Sequence, residues 1–159
     1  LFHWPKKIAA GSTYKYPVSA IDLYPMFTHL ADTKIPKTKT VDGLNIWPAF
    51  AKGQDCRPNE TIFAMRHRDG FSDVGVRKAQ WKALKVKQTA WQLFNIDEDI
   101  AEKNDLSKVH PEVLQNMIKS AENWSKTHTE PRWFDPVQLQ QTWVDKNMAQ
   151  FPNTFEVRK

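Results

Sequence analysis

The spacing of apolar residues along this chain changes character twice. Up to residue 18 it is irregular: aromatic Phe2 and Trp4 are followed by Pro5, Gly11 and Pro17, the pattern of a strand end that runs into a loop. From Asp22 the interval becomes helical, with Leu23, Phe27, Leu30 and Ala31 on one face. Asp22 is expected to cap the first-turn amides, and Pro25 costs little there because those amides have no intrahelical partner. Asp32-Thr33 and Pro36 signal the end of this helix. Pro36, Pro48 and Pro58, with Gly43 and Gly53, make residues 33–60 mainly loop.

After residue 60 the pattern turns to short β-type runs at 61–65, 74–77, 81–86 and 91–95. The connections at Ala79-Gln80 and Gln88-Thr89-Ala90 are too short for a parallel return, so the runs must form antiparallel hairpins. Pro111 is well placed to open a second helix. Val113, Leu114, Met117, Ile118, Ala121 and Trp124 give that helix an apolar stripe. A stripe of this kind beside a small antiparallel sheet predicts a two-layer α+β unit of about four strands covered by a helix. In the tail, Asp135, Pro136 and Gln138 suggest a further short helix carrying Val137, Trp143, Val144 and Met148.

Composition narrows the class. At 159 residues and 40% hydrophobic content the chain is globular, and no apolar run approaches the ~20 residues that span a bilayer. The first residues, Leu1-Phe2-His3-Trp4-Pro5, lack the basic and long apolar regions of a signal peptide. The net charge of +5 suits an anionic partner or a solvated basic surface. Nucleic acid is not expected: Lys34, Lys37 and Lys39 fall in a Thr/Pro loop, and Lys82, Lys85 and Lys87 do not keep to one strand face. Cys56 is the only cysteine, so no internal disulfide can form.

No complete catalytic constellation is present. Gly70-Phe71-Ser72-Asp73-Val74 lacks the final glycine of a nucleophile elbow. Asp97-Glu98-Asp99 lacks the turn glycine and twelfth-position Glu of a calcium loop, and reads as a polar turn after a strand. The histidines at 3, 29, 67, 110 and 128 have no metal-ligand spacing, and no glycine-rich phosphate loop exists.

Several short words nevertheless follow one another in a telling order. They are Trp4-Pro5-Lys6-Lys7-Ile8-Ala9-Ala10-Gly11, Pro17-Val18-Ser19-Ala20-Ile21-Asp22-Leu23-Tyr24-Pro25-Met26-Phe27 and Val41-Asp42-Gly43-Leu44-Asn45-Ile46-Trp47-Pro48. Then come Val74-Gly75-Val76-Arg77-Lys78-Ala79-Gln80-Trp81-Lys82, Trp91-Gln92-Leu93-Phe94-Asn95 and Glu102-Lys103-Asn104-Asp105-Leu106. Over about residues 1–125 this succession resembles the C-terminal part of the sulfatases, within the alkaline-phosphatase-like superfamily. The departures are in turns: Lys6 where Gly usually follows Trp-Pro, Ala79-Gln80 where Gly is common, and Asp99-Ile100-Ala101 where Asp-Pro-Gly is common.

The resemblance implies a division of labour. Sulfatases mature a Cys or Ser in a C-x-P-x-R setting into formylglycine, whose hydrated aldehyde attacks sulfur. Cys56-Arg57-Pro58-Asn59-Glu60 has Cys and Pro in register, but Glu60 stands where Arg is required. The nucleophile, the calcium-binding Asp/Asn cluster and the sulfate-stabilising Lys and His all belong to the larger N-terminal part of such an enzyme. No catalytic residue and no metal ligand is therefore carried over to this chain. Residues 1–55 would be the tail end of the large α/β domain, with the first helix on its parallel sheet. Residues 58–130 would be the antiparallel-sheet and helix subdomain, and 131–159 a C-terminal extension.

The same resemblance makes the subdomain one wall of the substrate cleft, with Arg66, His67, Arg68 and Arg77 as candidate positions; the other readings are strand-edge polarity for Arg66 and His67, a solvated turn for Arg68, and packing with a structural ion pair for Arg77 and Trp81. A guanidinium suits sulfate or carboxylate because it can donate two parallel hydrogen bonds. Trp91, Trp124 and Trp133 are expected to pack rather than to serve as sugar platforms. The substrate would be a sulfated small molecule or glycan, the missing N-terminal catalytic domain would be the main partner, and calcium would bind there. Relatives of this kind are periplasmic or secreted. Two other readings stay open: a stand-alone module for anionic polysaccharide, and a related hydrolase of phosphate esters or phosphonates. The unpartnered apolar face of the first helix would also allow self-association.

Overall fold

A computed structural model describes residues 1–68, 71–87 and 89–127, together with Gln141 and Asp145. The helix expected after Asp135, and Trp133, lie outside the described residues. Two compact units make up the chain, Leu1–Asn59 and Glu60–Lys159.

In the first unit a 3-10 turn, Ala20–Asp22, leads directly into helix α1, Leu23–Leu30. A second, one-turn helix, α2, spans Trp47–Phe50 inside the stretch expected to be loop, with Pro48 tolerated in its first turn. The expected role of Asp22 needs correction. Its side chain caps no amide of α1. It is fully buried and accepts from the Ser19 amide at 2.8 Å and from the Leu44 amide at 2.9 Å. Arg57 completes the arrangement, with Nε donating to Oδ2 at 3.3 Å and Nη2 paired with Oδ1. One carboxylate thus ties three stretches of chain together, and its four acceptor contacts offset the cost of burying its charge.

Gly43 lies beside this tie. A Cβ there would stand 2.0 Å from the carbonyl oxygen of Ile21, so the Leu44 bond to Asp22 can form only if residue 43 has no side chain. The buried side of α1 also differs from the expected face. Pro25 and Met26 are buried, whereas Ile21, Tyr24 and Phe27 are each 54% exposed. Aromatic residues fill out the unit: Phe50 meets Phe2 at 5.3 Å and Tyr14 at 4.8 Å, and Trp4 meets Trp47 at 5.4 Å.

The second unit is the expected two-layer structure. Strands β1 (Ile62–Arg68), β2 (Phe71–Lys78), β3 (Trp81–Lys85) and β4 (Gln92–Asn95) pair in sequence order, all antiparallel. β1 and β2 run further than their hydrophobic patterns suggest. Arg66, His67 and Arg68 are strand residues in register with Asp73, Ser72 and Phe71. Ladder hydrogen bonding carries these polar positions, and polarity alone concealed it. Helix α3, Pro111–Ser125, covers one face of the sheet. Its Leu114, Met117, Ile118 and Ala121 join Val74, Val76, Ala83, Trp91 and Leu93 in a single core, with Phe63, Met65, Trp81 and Val113 at its margin. Phe63 stacks on Trp124 with ring centroids 5.0 Å apart.

Between β4 and α3 the chain is held by its own polar groups. The amides of Glu98 and Asp99 donate to the Asn95 carbonyl, and Asp99 Oδ2 accepts from Lys103 and Asn104. Residues 97–99 are therefore a polar turn, as their composition suggests. Asp105 Oδ1 accepts from the Leu93 amide at 3.1 Å while the Leu106 amide donates to the Leu93 carbonyl at 2.7 Å, closing the free edge of β4.

Candidate functional site

The candidate residues on β1 and β2 are placed by strand alternation. Val74 and Val76 face α3, so Gly75 and Arg77 stand on the opposite face of the sheet. Phe63 and Met65 likewise belong to the α3 side, leaving Ile62, Ala64 and Arg66 on the other. On this outer face Arg77 is flanked by Ile62 on β1 and Lys82 on β3, and Gly75 by Ala64 and Leu84. Arg66 lies opposite Asp73. Arg66 and Arg77 therefore share one surface. His67 and Arg68 are in β1, paired with Ser72 and Phe71.

The electrostatics of this face are unbalanced. Lys82 is paired with Glu102, a residue brought back over the sheet by the turn after β4. Asp73 Oδ1 accepts from the Lys87 amide at 2.6 Å. Arg77 has neither an ion-pair nor a hydrogen-bond partner among the described residues, and its Nε is buried with no acceptor. Leaving a buried donor unmet costs about 1–3 kcal/mol, more when the group is charged. An arginine with its donors uncommitted can take a carboxylate or a sulfate group by a two-point contact. Sequence inspection singled out Arg77 but missed the Lys82–Glu102 pair, since only the fold brings those two together.

The first unit supplies no comparable chemistry. A cleft of about 650 Å³ is lined by Phe2, Trp4, Tyr14, Tyr16 and Phe50 among others. The Tyr14 hydroxyl donates to the Gln54 carbonyl at 2.7 Å. Burial, then its hydrogen bond and Coulomb interaction with Cys56, push the Tyr14 hydroxyl pKa up, so it stays protonated. Cys56 is half-buried, with its thiol directed to the Pro17 carbonyl at 3.6 Å. Arg57, its neighbour, serves the Asp22 tie. The Cys-Arg-Pro word is therefore structural in this fold. Among the described residues no group of three or more His, Cys, Asp or Glu side chains is placed to hold a metal ion. Also among the described residues, no helix is long and apolar enough to cross a membrane.

Comparison with known proteins supplies the family. No protein-family model matches the chain. It is 32% identical over 107 residues to the N-acetylgalactosamine-6-sulfatase of Mus musculus, a stretch that is 67% of this chain and 20% of the relative. The solved structure of Ps i-CgsB in complex with k-i-k-neocarrahexaose superposes over 98% of this chain with a TM-score of 0.92 at 45% identity, covering 34% of that protein. A protein of Bacteroides thetaiotaomicron, solved in connection with the metabolism of multiple glycosaminoglycans, matches 67% of this chain with a TM-score of 0.52 at 20% identity, a likeness of fold. The chain thus spans a fifth to a third of the length of these relatives. It belongs to the sulfatase family and corresponds to the C-terminal portion of such a protein.

Proposed function

We propose that this chain is the C-terminal part of an enzyme that hydrolyses sulfate esters on sulfated glycans. One observation carries the reading: nearly the whole chain superposes, at 45% identity, on a protein solved with a neocarrahexaose oligosaccharide. In this reading residues 1–55 complete a large catalytic domain, and 58–130 form the subdomain that walls the cleft. Arg66, His67, Arg68 and Arg77 are the cleft-wall residues. Formylglycine and calcium belong to the preceding domain, which supplies the nucleophile and the Lewis acid. The enzyme works in the periplasm or outside the cell, where sulfated polysaccharides are met.

The test is to express the parent protein and follow sulfate release from a sulfated galactan, an aryl sulfate and the matching phosphate esters. Sulfate release from the galactan, with the 159-residue chain alone inert, is the expected result. Preferential phosphate release would move the enzyme to the other branch of its superfamily. Turnover by the isolated chain would overturn the division of labour.

A further inference from the structure

From the geometry we infer that the face of the β1–β2 ribbon opposite α3 is a glycan subsite, in which Arg77 receives a sulfate or carboxylate group and Gly75 is the floor on which the sugar lies. This rests on the functional reading above and assigns a location and a ligand group to it. Three observations meet on this face. The first is the uncommitted guanidinium: Lys82 beside it is matched by Glu102, while Arg77 has no counter-ion among the described residues. The second is the glycine. A Cβ on Gly75 would meet only the Ala64 Cβ, at 3.9 Å, and its backbone does not adopt positive φ. Neither crowding nor conformation in the described structure requires glycine here, although glycine weakens a strand interior. Its effect is to leave a flat gap next to exposed Ala64, where a ring can approach the backbone closely.

The third observation is Arg66, exposed on the same face beyond that gap. It is in register with Asp73, four residues from Arg77 along β2, or about 13 Å at the rise of an extended strand. Arg77 at one end and Arg66, with the Asp73 carboxylate opposite it, at the other bracket a small-residue floor, and Arg77 is the end that suits an anionic group. Arg77 is the inner anchor, because a half-buried residue has less freedom to lose on binding than an exposed one.

The test uses the 159-residue chain, followed by backbone NMR and calorimetry. The probes are a sulfated galactan oligosaccharide, the same sugar desulfated, and inorganic sulfate. The sulfated sugar should perturb the amides of Ala64, Gly75 and Arg77 and the desulfated one should not. Arg77→Gln should weaken binding by about tenfold or more. Arg77→Lys should recover only part, because an ammonium lacks the planar fork. Gly75→Val should weaken binding while leaving the melt intact, and Lys103→Gln, on the polar turn, should change nothing.

Should Arg77→Gln not fold, Arg77→Lys and Gly75→Val decide the matter between them. Affinity within twofold of the parent value in these variants, or equal binding of the desulfated sugar, overturns the inference. So does absence of any binding while the parent enzyme releases sulfate from the galactan, which leaves the functional reading standing. Binding by the chain without sulfate release by the parent has the reverse meaning. In the parent enzyme Arg77→Gln should raise KM for the galactan and spare turnover of a small aryl sulfate. Equal loss on both substrates, with a lowered melting temperature, would mean that Arg77 pairs with an acidic side chain of the preceding domain, and would sink the subsite.

Discussion

Asp22 is the residue on which the first unit turns. Its carboxylate is fully buried and holds two amides and Arg57, itself nearly buried. Asp22→Asn removes the negative charge that faces Arg57, and breaking a buried pair from one side costs about 3–5 kcal/mol. That is a large part of the 5–15 kcal/mol typical of a whole domain, so the first unit should melt well below the native protein in a thermal scan. Adding Arg57→Met should return part of the loss, because the double variant no longer buries a cation beside a neutral amide. In the second unit, Asp105 has an analogous but exposed role. Partial burial works against its carboxylate, yet the amides of Leu93 and Ser107, the Ser107 hydroxyl and Lys108 together hold its pKa below the usual range. A depressed folded-state pKa stabilises the protein above the unfolded pKa and is lost as pH falls through the folded value. The stability gap between native protein and Asp105→Asn, read by urea denaturation, should thus be full near neutrality and shrink as the pH falls through and below the ordinary carboxylate range.

Among the elements, α3 was the easiest to read and β1 the hardest. The stripe predicted from Val113 to Trp124 is the face that meets the sheet, with Leu114, Met117, Ile118 and Ala121 buried. Periodicity suffices there because a helix on a sheet buries one stripe and leaves the rest in water. Ile118→Ala should cost about 2–5 kcal/mol by leaving a cavity in the core between α3 and the sheet, measurable as a lower urea midpoint with an unchanged slope. β1 and β2 are longer than their apolar runs because ladder hydrogen bonds carry the strand through Arg66, His67 and Arg68. The β2–β3 turn is another case. Ala79 has φ of +49°, a conformation that favours glycine, so neighbouring strand pairing supports a residue choice that local preference resists.

At the scale of the molecule, the notable feature is a set of apolar side chains left exposed among the described residues. Ile21, Tyr24 and Phe27, spaced three apart, form an exposed row on the first unit. A row of this kind is expected of a segment whose neighbours lie elsewhere in a longer protein, in keeping with a chain that spans a third or less of its relatives. The isolated chain should bind a hydrophobic dye and sediment with concentration-dependent mass, and Phe27→Ser should reduce both. A non-binding monomer would count against a missing domain over this face.

The landmark words carried the resemblance to the family, while the α+β class, the hairpin order and the α3 stripe came from the apolar spacing and the short connections. The last three depend on local periodicity or on turn residues, which a linear chain carries in plain view. The purpose of the words became clear only in three dimensions. Asp22, Gly43 and Leu44 meet at one carboxylate, and Asp105 and Leu106 clamp Leu93. Arg57 was concealed in a Cys-Arg-Pro sequence that suggests other chemistry, and its partner lies 35 residues away. The Lys82–Glu102 pair, beside which Arg77 stands with no counter-ion among the described residues, follows from a turn that no periodicity encodes. Contacts between distant residues depend on chain reversal and burial, so tertiary structure alone decides which charges are matched and which remain available to a ligand.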